Sequence, residues 1–203
     1  MDRNYIYLTI LMLVLAIGTL LVNNEPKLKQ IEPQQLLLEM VQPTRYVTTD
    51  QIAKMIIHGD PSLELVDVRS ADEFEQFALP RSVNIPLDSL INSSSLGYFG
   101  IPGTKVVFVS NDDIAADQAW VLTKRLGFKG TYVMRGGLNC WMETIINPQE
   151  PSEGSPNTAY ETYAFRKGAQ QYFTGAKAEV AEGSKVKVEV QRRKKTSAVA
   201  GGC

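Results

Sequence analysis

The side chains able to do covalent or redox chemistry are few: two cysteines, Cys140 and Cys203, and one histidine, His58. That set excludes a four-cysteine or histidine-rich metal site and implies no cofactor. Cys203 closes the chain after Gly201-Gly202, at the end of a basic tail. A thiol placed there is exposed and free to swing to a site or a partner. Cys140 precedes Trp141 in an apolar stretch and reads as a small buried hydrophobe. His58 stands beside Gly59 at the end of a helical pattern, where a partial positive charge suits the helix dipole. A second group of polar residues follows apolar runs: Asp67 and Arg69 after 63–66, and Ser110-Asn111-Asp112-Asp113 after 106–109. Asp67, Arg69, Ser110, Asn111 and Asp112 are the candidate binding residues, although Asp67 and Arg69 also suit an ion pair that ties loops together. Ser110 makes no serine-hydrolase triad, because nothing in the sequence brings His58 to it.

The elements that must position these groups follow from apolar patterning. Lys105 to Val109 and Leu63 to Val68 read as buried strands. Ser82 to Pro86 and Thr131 to Met134 read as shorter ones. Between them lie helical patterns: 51–57 after the caps at Thr48-Thr49-Asp50, a short helix from the capping box Ser70-Ala71-Asp72-Glu73 through Phe77, and 114–126. Leu87 to Ile91 makes a turn of helix, Asn92 to Ser95 a loop, and Leu138 to Ile146 a helix after the Gly136-Gly137 turn. Strands alternating with helices imply a mostly parallel sheet. Beyond a linker at 147–157, Thr158 to Phe173 is an aromatic-rich amphipathic helix whose pattern favours packing on the domain. Lys185 to Val190 alternates weakly in the manner of a strand.

The N-terminus differs in kind. Asn4 to Asn24 carries no charge, and 5–22 is almost wholly apolar. A spanning helix needs ~20 such residues, whereas the apolar part of a signal peptide is usually ~7–15. The expectation is one transmembrane helix that takes the bilayer as its partner. A short tail before a single anchor places the globular part outside the cytoplasm. The expected organisation is an anchor at 1–24, a stalk at 25–46 broken by Pro26, Pro33 and Pro43, and a globular domain at 47–147. The linker and aromatic helix take 148–176, and a flexible basic tail takes 177–203. The chain holds 21 Lys and Arg against 22 Asp and Glu, a net charge of -1. This overall balance excludes a broadly basic nucleic-acid binder. The tail from Ser184 onward nevertheless carries six basic residues and one acid.

Four segments carry a resemblance. Val66-Asp67-Val68-Arg69 with Glu73-Phe74, then Ser82-Val83-Asn84-Ile85-Pro86, then Leu126-Gly127-Phe128, then Gly136-Gly137 with Trp141 resemble the ordered motifs of the rhodanese-like family. The resemblance covers about 47–147. It implies a rhodanese-like α/β fold: a twisted five-stranded parallel sheet with helices on both faces. It also implies a sulfurtransferase site in which a cysteine directly after the central strand carries sulfane sulfur as a persulfide. Backbone N–H groups of that loop and an arginine about five residues on would hold the anionic substrate. Here the cysteine position falls on Ser110 and the arginine position near Ala115. Asp112, Asp113 and Asp117 give the loop the wrong sign for thiosulfate or phosphate. The family's Gly-His is also absent, with Gln76 to Ser82 in its place. Two functions follow as expectations. The first is a membrane-anchored domain inactive at the usual site, a binding or regulatory module for a protein partner. The alternative is a sulfurtransferase or thiol relay through Cys203.

Overall fold

The computed structural model describes residues 3–22 and 30–175. Cys203, the basic tail and the alternating run 185–190 lie outside the described residues. The first helix, α1, is Arg3–Val22. Among the described residues, no helix is long and apolar enough to cross a membrane. Helix α2, Pro33–Val41, begins with Pro33 in its first turn, where the missing N–H costs nothing. The apolar patch 36–41 of the segment read as a stalk or a first packing element, where one or two helical turns are expected, lies within this helix.

The domain follows with strand β1 (Tyr46–Val47) and helix α3 (Thr49–Ile57), then β2 (Leu63–Asp67) and α4 (Ala71–Gln76). Next come β3 (Ser82–Asn84), α5 (Ser93–Leu96), β4 (Lys105–Val109) and α6 (Ile114–Arg125). The last elements are β5 (Thr131–Met134), α7 (Gly137–Trp141) and α8 (Asn157–Thr174). The capping box at Ser70 forms as the sequence predicts, and the cap expected at Thr48 also closes into a box. Thr48 caps α3 with Gln51, and Ser70 caps α4 with Glu73. The sheet has five strands in the order β1-β5-β4-β2-β3, and every pair is parallel. Parallel neighbours need crossovers, and the intervening helices supply them.

Side chains alternate along each strand, so the two faces bury separate cores. Leu65, Val107, Val109 and Met134 pack with Ile52 and Ile56 of α3, Trp141 of α7 and Ala169 of α8. Val66, Val106, Phe108 and Val133 pack with Trp120 of α6, Leu90 and Phe99. Burial on both faces explains why β4 reads as a continuous apolar run.

Three local features differ from the sequence expectation. Asn92 to Ser95 is not a loop: Asn92 accepts from the N–H groups of Ser95 and Leu96, and the buried Ser95 hydroxyl donates to Ser89 O at 2.9 Å. Serine-rich sequence hides such a turn because serine has a weak helix preference. The helix expected at 138–146 is two pieces, with a π turn at Met142–Ile146. Thr144 donates to Cys140 O at 2.6 Å, a side-chain bond to the carbonyl four residues back that bends helices. Cys140 itself is half-buried, not enclosed. His58 does end α3, with Nδ1 2.7 Å from Lys54 O.

Candidate functional site

The C-terminal ends of β2, β4 and β5 meet along one edge of the sheet, and the candidate residues lie there. Asp67 ends β2 and is only 1% exposed. An isolated carboxylate could not be buried so deeply, and Arg69 compensates it. Arg69 donates from its backbone N–H to Asp67 Oδ1 at 3.0 Å. Its guanidinium donates from Nε at 3.0 Å and from Nη2 at 2.7 Å to the two carboxylate oxygens. Arg69 Nη2 also donates to Phe77 O at 2.6 Å, and Nη1 to Asn111 Oδ1 at 3.3 Å. The pair thus ties β2 to the end of α4 and to the loop after β4. Asn84 completes the tie, its Nδ2 donating to Asp67 O and Arg69 O at 3.1 and 3.0 Å.

The loop after β4 is built around Ser110, which is 2% exposed. Its hydroxyl donates to Asp112 O and accepts from the N–H of Ala116 at 3.2 Å. Those bonds fix the entry to α6 and use the hydroxyl's proton. Asp112 Oδ1 accepts from the N–H of Ile114 at 2.9 Å, and Asp113 Oδ1 accepts from the N–H of Gly136. The loop's own carboxylates therefore take two backbone N–H groups at this edge. The loop carbonyls face the start of α7: Leu138 N donates to Ser110 O at 2.8 Å, and Asn139 N to Asn111 O at 3.0 Å. The contact is close because Gly137 has no side chain. A Cβ there would lie 2.5 Å from Ser110 O and 2.6 Å from Asn111 C, and Gly137 has φ +57°. Cys140 rides on the same turn: a Cβ on Gly136 would come within 3.2 Å of its Sγ.

Asn111 and Asp112 are exposed at the rim. Asn111 Nδ2 donates to Glu73 Oε1 at 2.7 Å. Glu73 also accepts from the Ser70 hydroxyl at 2.8 Å and the Ser70 N–H at 3.2 Å. Donation from the Ser70 hydroxyl, and then from Asn111, holds the Glu73 carboxyl below the usual glutamate range. The arrangement is an electronegative rim over a hydrogen-bonded loop, with no thiol at position 110. Among the described residues, no group of histidine, cysteine, aspartate or glutamate side chains is placed to hold a metal ion.

All five sequence candidates come together at this edge, within one hydrogen-bonded network. Sequence reasoning missed Glu73, Asn84 and Asp113 as members of it. Glu73 was legible only as a cap, and its bond to Asn111 spans 38 positions. Nothing in the sequence signals the Asp113–Gly136 bond.

Comparison with known proteins agrees with this architecture. A family profile described as rhodanese-like domain matches residues 48–144. The chain is 29% identical over 121 residues to "Adenylyltransferase and sulfurtransferase MOCS3" of Aedes aegypti, covering 56% of this chain and 27% of that protein. It thus spans little more than a quarter of the mosquito protein's length. It is 24% identical over 110 residues to "Thiosulfate sulfurtransferase RDL2, mitochondrial" of Saccharomyces cerevisiae, covering 47% of this chain and 70% of the yeast protein. A solved rhodanese-like domain protein from Staphylococcus aureus superposes with a TM-score of 0.43 at 20% identity, covering 49% of this chain and 93% of that one.

Proposed function

Residues 48–144 form a rhodanese-like domain, and from that premise we propose that the chain is a membrane-anchored binding or regulatory module, inactive as a sulfurtransferase at the usual site. One observation carries the reading. The hydroxyl of Ser110 is spent inside the loop, between Asp112 O and the N–H of Ala116. A serine oxygen is also no substitute for a persulfide-forming thiolate. Asp112 and Asp113 add to this by accepting from Ile114 and Gly136, so negative charge sits where an anionic substrate would need donors. A site with this charge suits a cationic group of a protein partner better than thiosulfate.

The anchor is the uncharged run 4–24, of which α1 forms the helical part. The side chains from Tyr5 to Ile17 that are large and apolar stand exposed, as a helix needing a lipid environment would present them.

Thiosulfate-to-cyanide transfer by the full chain tests the reading. The expected result is no turnover above buffer, with little restored by Ser110→Cys because the two aspartates remain. Robust turnover by the unmodified protein overturns it. Cys140→Ser and Cys203→Ser would then identify the sulfur-carrying thiol and decide whether the names of the relatives extend to this chain.

A further inference from the structure

We propose that helix α2 is an interfacial shoulder whose outward apolar face lies in the headgroup region of the bilayer. The proposal rests on the reading of α1 as the anchor.

The inner side of α2 is fastened to the domain. Just before it, Ile31 N donates to Arg125 O at 3.1 Å, and within it Glu39 pairs with Lys124 of α6 at 3.1 Å. Arg45 donates to Met40 O near the helix end and pairs with Asp117 of α6 at 2.9 Å. With these ties α2 is part of the globular body and cannot turn its other side inward.

That other side is apolar and unpartnered among the described residues. Leu37 is 61% exposed, Leu38 67% and Val41 81%, with Met40 at their edge. At ~100° per residue these four fall within an arc of roughly 160°, shared only with Pro33 and Gln34 and free of charge. Met40 also borders a hollow of about 510 Å³ lined by Leu87, Val121 and Leu122 together with Asp117 and Gln118 of α6.

Chain continuity identifies the occupant. Ten residues, 23–32, separate the end of α1 from the start of α2. Fully extended, they reach at most ~36 Å. The start of α2 therefore lies within that reach of the membrane surface. Interfacial helices bury such a face ~5–10 Å into the headgroup–acyl boundary. A second copy of the chain fits less well, because four side chains on a nine-residue helix fall far short of the ~800 Å² per partner of a stable interface.

The test uses the full chain reconstituted in phosphatidylcholine vesicles, with Leu38→Trp and Val41→Trp as separate variants. The native tryptophans, Trp120 and Trp141, are buried and give a constant background. Bromine-labelled acyl chains should quench the added emission, Val41→Trp well above Gln35→Trp, which lies ~120° round the helix from Val41. Alkaline carbonate extraction reports separately on α1. Variants that stay with the vesicles but are not quenched overturn the shoulder and leave the anchor standing. Release by carbonate overturns the anchor, and the shoulder with it. Absence of quenching with a cross-linked dimer through α2 assigns the face to a second copy and overturns the lipid proposal.

Discussion

Replacing Gly137 with alanine should loosen the loop that carries the candidate site. Gly137 has φ +57°, and an added Cβ would lie 2.5–2.6 Å from Ser110 O and from the C and O of Asn111. All three are backbone atoms, so no flexible side chain can move aside. Gly59 is the matched reference: its φ is +65°, and nothing lies within 4 Å of its added Cβ. Both substitutions force an L-residue into the left-handed region, at about 1–2 kcal/mol. Only Gly137→Ala adds overpacking, about 1–3 kcal/mol more. Gly59→Ala should therefore cost about 1–2 kcal/mol and Gly137→Ala about 2–5 kcal/mol. Urea unfolding of the full chain, followed by tryptophan emission, gives both numbers. Hydrogen exchange at the amides of Leu138 and Asn139, which donate to Ser110 and Asn111, should rise selectively in Gly137→Ala. Equal costs for the two variants would refute the claim that the close approach of loop and turn holds the site.

Asp67→Ala should destabilise by about 3–5 kcal/mol in the same unfolding measurement, because it strands the buried Arg69 guanidinium. Ser110→Ala should cost about 1–3 kcal/mol in the same measurement by leaving the buried N–H of Ala116 unpaired. Glu73 is held below its ordinary range, first by Ser70 and then by Asn111, so its contribution is present above the unfolded-state pKa and lost as pH falls through the folded one. The stability difference between wild type and Glu73→Gln, followed by urea unfolding across the acid range, should accordingly shrink toward low pH. Full-length protein should resist alkaline extraction from membranes, and release by carbonate would contradict a spanning α1.

The parts of the fold set by local chemistry were readable in the sequence. Thr48 and Ser70 announce their helices because a capping box needs only four residues. The apolar runs 63–66 and 106–109 announce strands buried on both faces. Strand β1 was not readable: two residues, Tyr46 and Val47, show no alternation, and their pairing with Val133 and Met134 is a property of the assembled sheet. The π turn after Trp141, where the Thr144 hydroxyl donates to Cys140 O, leaves no pattern in the apolar spacing of 138–146. At the site, motif order placed Ser110 where a sulfur carrier would stand. The reason its oxygen is occupied lies in contacts with Asp112 and Ala116, which composition does not encode. The network is completed by bonds between positions 23 and 38 residues apart. Such bonds exist only once the sheet edge has assembled.

Helix α8 lies beyond the matched segment, yet Ala169 is 1% exposed, Arg166 pairs with Asp50 at 2.8 Å, and Phe173 meets Trp141 edge-on at 5.0 Å. The physical boundary of the domain is therefore wider than the homologous one. A fragment ending at Pro148 would retain every recognisable motif and still uncover part of Trp141 and Ile145, inviting aggregation. Gln170, whose side chain donates to Ile146 O at 2.7 Å, would at the same time withdraw a cap from the end of the π turn. The unit that can be excised, fused or transplanted intact has to run through Thr174, because α8 covers surface that the matched segment cannot cover by itself.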